Sequence, residues 1–143
     1  MKNILVAINF DDNDQKVLDK ASKMAQAFSA KVWLVHIATP DPLFVGYDIG
    51  PQYIRDLRAA ELRDEHRSIQ DLAGELKKKG ITSEGLLIQG STVAMLIDET
   101  IKLKADLIIV GRSKRDAFYK KFRESISKGV LKKSKIPILV VPE

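Results

Sequence analysis

The sequence contains no cysteine, only two histidines and a single tryptophan. The missing thiols exclude disulfides, cysteine nucleophiles and thiolate metal sites. No apolar run approaches the roughly 20 residues needed to cross a bilayer. From Met1-Lys2-Asn3 the chain passes directly into a strand-like segment, without the small-residue cleavage site of a leader. The expectation is a protein that is neither secreted nor membrane-bound, placed in a reducing cytoplasm. No Ser, His and Asp with triad spacing, no cluster of His and acids, and no complete Walker or dinucleotide fingerprint occurs. No catalytic residue and no metal site is therefore expected, and the chain does not read as an enzyme.

What is present is the pattern of a single α/β domain over residues 1–143, with 45% hydrophobic and 30% charged residues. Ile4 to Ile8, Val32 to Ile37, Leu107 to Val110 and Ile138 to Val141 are apolar runs without alternation, as in strands covered on both faces. Glu84 to Ile88 is a weaker fifth. Between them the apolar residues recur at helical spacing. Val17, Leu18, Ala21, Met24, Ala25 and Phe28 mark a first helix, capped by Asp12, Asn13 or Asp14. Ile54, Leu57, Leu62, Ile69, Leu72, Ala73 and Leu76 mark a second, from near Pro51 to Lys79 with Gly80 as its stop. Its front is densely charged from Arg55 to Arg67, so it is expected to project past the sheet. A third helix follows Gly90-Ser91, with Val93, Leu96, Ile97 and Ile101 facing inward, and a fourth spans Ala117 to Ser134. The order βαβαβαβαβ implies right-handed crossovers and an open, doubly wound, five-stranded parallel sheet with helices on both faces. In such a sheet ligands bind beyond the carboxyl ends of the strands, where strand order reverses. The rule selects Asn9 to Asn13, His36 to Thr39, Gln89 to Thr92 and Gly111 to Arg115.

The net charge of +5 is unevenly distributed. Between Gly111 and Pro137 lie ten Lys or Arg residues, at 112, 114, 115, 120, 121, 123, 128, 132, 133 and 135, against Asp116 and Glu124. Such a stretch attracts phosphates, nucleic acid or acidic partners, and it is also what a solvated lysine-rich face looks like.

Five segments in order carry a resemblance across essentially the whole chain: Ile4-Leu5-Val6-Ala7-Ile8, Leu34-Val35-His36-Ile37, Gly90 before the third helix, Ala105 to Gly111, and Ile136 to Pro142. In this order the chain resembles the universal stress protein family. ATP-binding members of that family carry Gly, two residues, Gly, nine residues, then Gly with Ser or Thr. The corresponding positions here are Gly111, Lys114, Glu124 and Ser125, so only the first glycine and the hydroxyl remain. Lysine at 114 puts a side chain where bare backbone amides approach an anion, and Glu124 would repel phosphate. The family's aspartate after the first strand is Asn9, which trades an acceptor-only group for a mixed one. Arg112, Lys114 and Arg115 could replace backbone donors by side-chain charge. The resemblance thus implies a candidate nucleotide cleft of Ala7, Asn9, Ile37, Gly90, Gly111, Arg112, Lys114, Arg115 and Ser125, for ATP or AMP, with no required cofactor. It also implies a homodimer through Pro137 to Pro142, a proline-bounded edge strand.

The expected function is that of a stress-response or regulatory binding protein. The alternatives are a weak AMP or ATP sensor using residues 111–115, and nucleic-acid binding by the basic stretch 112–135, the less favoured of the two. His36, ending a core strand beside the cleft, reads as a packed histidine bonded to a backbone carbonyl before it reads as an acid or base. His66 reads as surface. Asp11, Asp12 and Asp14 could hold Mg²⁺ but are better explained by helix capping. Trp33, Phe118, Tyr119 and Phe122 read as core packing.

Overall fold

The computed structural model describes residues 1–38, 52–89, 93–112 and 135–142. The sequence-based fourth helix, Gly90, Lys114, Arg115, Ser125, Phe118, Tyr119 and Phe122 lie outside the described residues. Five parallel strands form one sheet: β1 (Asn3–Ala7), β2 (Lys31–Ala38), β3 (Ser83–Gln89), β4 (Leu107–Arg112) and β5 (Ile138–Pro142). Three helices are described, α1 (Asp14–Phe28), α2 (Gln52–Lys78) and α3 (Val93–Lys102). The strand order is β3-β2-β1-β4-β5, so the chain winds outward from β1 in one direction and then returns to the other side. That reversal places the switch point between β1 and β4.

The run from Ile4 to Ile8 lacks alternation because both of its faces are covered. Ile4, Val6 and Ile8 belong to the core beneath α1 and α2, with Val17, Ala21, Ile69 and Ala73. Leu5 and Ala7 point into a second cluster with Val35, Ile108 and Val110, against which Ile97 of α3 packs. Helix ends are formed by left-handed residues. Gly80 (φ 83°) follows α2, with Gly80 N–H donating to Lys77 O at 2.9 Å and Ile81 N–H to Leu76 O at 3.1 Å. This is the paired hydrogen-bond stop that glycine favours. Ser29 (φ 53°) and Lys104 (φ 54°) occupy the same position after α1 and α3 without glycine's freedom. Two residues after the Lys104 turn, Asp106 accepts hydrogen bonds from Asn3 N–H (2.9 Å) and Lys2 N–H (2.7 Å), which hold its carboxyl below the usual range.

Several sequence expectations are corrected. Phe28, Leu57 and Ile101, placed on inward faces by periodicity, are 52%, 61% and 65% exposed. All three sit at or near helix ends. For α2 the reason is length. Its 27 residues span about 40 Å at 1.5 Å each, whereas the seven residues of β3 span about 23 Å. The front of α2 therefore overshoots the sheet, as its charge density implies, and leaves Leu57 exposed. Trp33 is not a core residue either. It is half-buried, with its Nε1 donating to Asn3 Oδ1 at 3.2 Å and the Lys31 ammonium 3.8 Å from its ring centre. Nor do the acids after β1 cap α1: Asn13 holds the N-cap position but makes no side-chain cap hydrogen bond.

The edge strand β3 is fastened to α2 by side chains that reach backbone. Ser83, fully buried, donates to Ala73 O at 2.6 Å, and Gln70 Nε2 donates to Gly85 O at 2.9 Å. Thr82 O accepts from Val32 N–H of β2, so alternation along the strand turns the Gly85 carbonyl away from β2, toward the open edge. The helix sits so close here that a Cβ on Gly85 would lie 2.8 Å from Ile69 O and 3.2 Å from Ile69 Cγ2. The obstacle is helix backbone, which cannot yield as a side-chain tip would. Gly85→Ala is predicted to destabilise the fold by about 1–3 kcal/mol, read from urea unfolding midpoints at unchanged slope.

Candidate functional site

The carboxyl ends of β1 and β4 lie side by side at the switch point, where a sheet of this order opens its crevice, with β2 next to β1 on the other side. Ala7 is buried at the end of β1. Asn9 follows it, half-buried, with its backbone N–H donating to Asp14 Oδ1 at 3.2 Å. Gly111 is buried in β4 in register with Val141, and Arg112 ends the strand opposite Pro142. Ile37 lies in β2 opposite Ile88. The backbone thus brings Ala7, Asn9, Gly111, Arg112 and Ile37 to one end of the sheet, while Gly90, Lys114, Arg115 and Ser125 fall outside the described residues.

Gly111 has a packing reason for lacking a side chain. A Cβ there would lie 2.7 Å from Asn13 Nδ2 and 3.0 Å from Val17 Cγ2, both at the start of α1. Asn13 is itself 7% exposed, and its Nδ2 donates to Val141 O at 3.4 Å, tying α1 to β5 across the end of β4. Its Oδ1 is buried and accepts no hydrogen bond. Beneath the crevice, then, lies a glycine closed over by an amide that presents an unused acceptor.

The acids after β1 are occupied in shaping their own loop. Asp11 Oδ1 accepts from Asn13 N–H at 2.9 Å, and Asp11 O from Asp14 N–H at 3.2 Å, a local turn of the kind short polar side chains form. Burial raises the Asp14 carboxyl above its ordinary range, the neighbouring Asp11 charge adds to that, and hydrogen bonds from the backbone of Asn9, Phe10 and Asp11 oppose it. Among the described residues no group of three or more His, Cys, Asp or Glu is arranged to hold a metal ion.

Periodicity and motif reading missed two residues. Phe10 has φ 61°, an unusual conformation for a bulky residue, and remains 38% exposed at the mouth of the crevice. Its ring lies 4.4 Å from that of His36, at 43°. His36 Nδ1 is 2.7 Å from Ile8 O, the backbone hydrogen bond expected for it, and its Nε2 lies 3.7 Å from Glu65 Oε2 on α2. Glu65 was legible in principle: positions 62, 65, 69, 72 and 76 follow the three-and-four spacing of an inward stripe, and 65 is its one charged member. His66 faces outward, 3.3 Å from Gln70 Nε2, as a surface residue.

With the fold and crevice established, comparison with known proteins places the chain. The sequence profile of the universal stress protein family matches residues 1–142, and the chain belongs to this family. It is 28% identical over 142 residues to a universal stress protein of Thermus aquaticus encoded 3' of a QAH/OAS sulfhydrylase, covering 98% of both chains. Among solved structures it is similar to the protein MJ0577 (TM-score 0.76, 19% identity, covering 99% of this chain and 96% of that one). It is also similar to a universal stress protein in complex with cAMP (TM-score 0.65, 21% identity, covering 98% and 96%). At these identities the structural likeness shows the fold, here the five-stranded parallel α/β sheet. No described helix is long and apolar enough to cross a membrane.

A raised carboxyl pKa means that the folded state binds the proton more tightly than the unfolded one, so stability falls as pH rises through the interval above the ordinary value of 3.8. Asp14→Asn keeps an acceptor for Asn9 N–H and removes the charge. It should therefore be at least as stable as the wild type at about pH 7, with its advantage shrinking toward about pH 4, as denaturant unfolding at the two pH values will show.

Proposed function

We propose that this chain is a regulatory binding protein of stress response that acts without catalysis, as a homodimer joined through β5. The observation that carries the reading is the state of that strand. β5 is an edge, hydrogen-bonded to β4 on one side, with Ile138 and Leu139 only half-buried and Val140 40% exposed. An apolar edge of this kind invites pairing, and a two-fold axis along it would bury the same residues from both copies. Light scattering on the eluting protein should give a dimer mass, and Val140→Glu should shift it toward monomer with an unchanged far-UV spectrum. A wild type that stays monomeric at high micromolar concentration would overturn the reading.

A second reading, adenine-nucleotide binding in the crevice, is favoured by the unpartnered Asn13 Oδ1 under the β1/β4 switch point and by the cAMP held by a protein of the same fold. The retained Gly111 fits either packing or a ligand, and the lysine at 114 and glutamate at 124 argue for weak affinity compared with members that keep all three glycines. Occupancy at about 100 times Kd stabilises a folded protein by about 2.7 kcal/mol, on the order of 5 to 10 °C in a domain of this size. Thermal unfolding with millimolar AMP, cAMP or Mg-ATP should show such a rise, diminished in Asn13→Ala relative to that variant's own ligand-free baseline. No rise with any of the three removes the nucleotide reading and leaves the dimer reading untouched.

A further inference from the structure

The contact of Phe10, His36 and Glu65 joins three elements at the mouth of the crevice, and nothing in packing alone accounts for its polar half. His36 Nδ1 lies 2.7 Å from Ile8 O, an acceptor without a proton, so the Nδ1 proton belongs to the histidine and points at that carbonyl. In the neutral ring, Nε2 is then a lone pair. It faces Glu65 Oε2, which is buried and accepts no hydrogen bond, at 3.7 Å. Two acceptors face each other across a gap too long for a hydrogen bond. A buried carboxylate oxygen without a donor is an arrangement that proteins avoid unless something else completes it. One proton on Nε2 completes it, because the lone-pair contact becomes a charge-assisted N–H···O pair whose usual length is about 2.7–2.9 Å. The ring is anchored at Nδ1 and must pivot to close that gap. Beside it lies Phe10, its ring centre 4.4 Å away and tilted by 43°, in a left-handed backbone conformation that a bulky side chain adopts only under constraint. A positive imidazolium is also attracted to an aromatic face.

We propose that His36 is a positioning residue and that its protonation draws it onto Glu65 of α2 and resets the Phe10 side chain at the lip of the crevice, a pH-responsive element coupling α2 to the site. Among the described residues, the groups seen against His36 are Glu65 from α2, and the Ile8 carbonyl and Phe10 ring from β1 and its loop. On β3 its register partner is Leu87, which is uncharged. The loop also holds the carboxylates of Asp11, Asp12 and Asp14. The ring movement stands independently of any ligand, whereas its effect on ligand affinity rests on the crevice being the nucleotide site discussed above.

The test is fluorine NMR of the full chain carrying 4-fluorophenylalanine, which labels five phenylalanines, with the Phe10 signal assigned by its loss in Phe10→Leu. Between about pH 8 and about pH 5, where histidine changes charge, the Phe10 signal should move in one titration while the other four stay. The movement should vanish in His36→Gln and fall to less than half its amplitude in Glu65→Gln, which keeps the shape of the side chain and removes its charge. The four remaining signals report that each variant is folded. A Phe10 signal flat across the range in the wild type overturns the proposal, as does a titration that persists in His36→Gln and so belongs to the aspartates. A Glu65→Gln protein that titrates with full amplitude overturns the coupling to α2. Loss of the fluorine response and loss of an AMP-induced thermal shift are separate results, so a protein that binds no nucleotide still decides the question.

Discussion

Everything in this molecule is arranged about the parallel pairing of β1 with β2 on one side and β4 on the other. A strand so placed is covered by helices on both faces and hydrogen-bonded along both edges, which is why Ile4, Leu5 and Val6 are entirely buried. The same placement creates the crevice. Because the chain leaves β1 for β2 and returns to β4 on its other side, the crossovers on either side of β1 lie on opposite faces and part at the carboxyl ends of β1 and β4. Stability and site are thus consequences of one topological choice, and a change that loosened β1 would affect both.

The helices follow from that frame with varying closeness. α1 approaches β4 until a Cβ at position 111 would crowd the Asn13 and Val17 side chains, and α2 approaches β3 until a Cβ at 85 would meet helix backbone. Each close approach is accompanied by a side chain reaching backbone: Asn13 to Val141 in the first case, Gln70 to Gly85 in the second. A residue that the family resemblance associates with phosphate is here also a packing residue. The two demands are compatible, since both ask for the absence of a Cβ, so Gly111 fits either packing or a ligand.

The strands and the first three helices were legible because their determinants are local: uninterrupted β-rich runs, three-and-four spacing, and Gly80 as a stop. Family membership was legible through the order of several weak segments. What escaped was decided by geometry between elements. Periodicity assigns Phe28, Leu57 and Ile101 to apolar faces, but exposure depends on where the neighbouring element ends, and these residues lie at or near helix ends and are more than half exposed. The role of Asn13 could not be read as anything other than a cap, because its partner Val141 is distant in sequence and meets it only once β4 and β5 are paired. Phe10 carries no sequence signal of its left-handed backbone. Glu65, by contrast, interrupts an apolar stripe, and a charge in such a slot is a usable sign of a buried polar contact.

The hydrogen bond from Gln70 to the Gly85 carbonyl distinguishes the two borders of the sheet. A parallel sheet with adhesive strands at both borders could add copies head to tail and grow into an open fibre. Here one border has an outward carbonyl already taken by a side chain of its own helix and is overlaid by that helix at van der Waals contact, whereas β5 at the other carries an exposed valine. Under the proposed pairing through β5, this asymmetry closes the assembly at two copies, because the border left outermost is the one its own helix already engages.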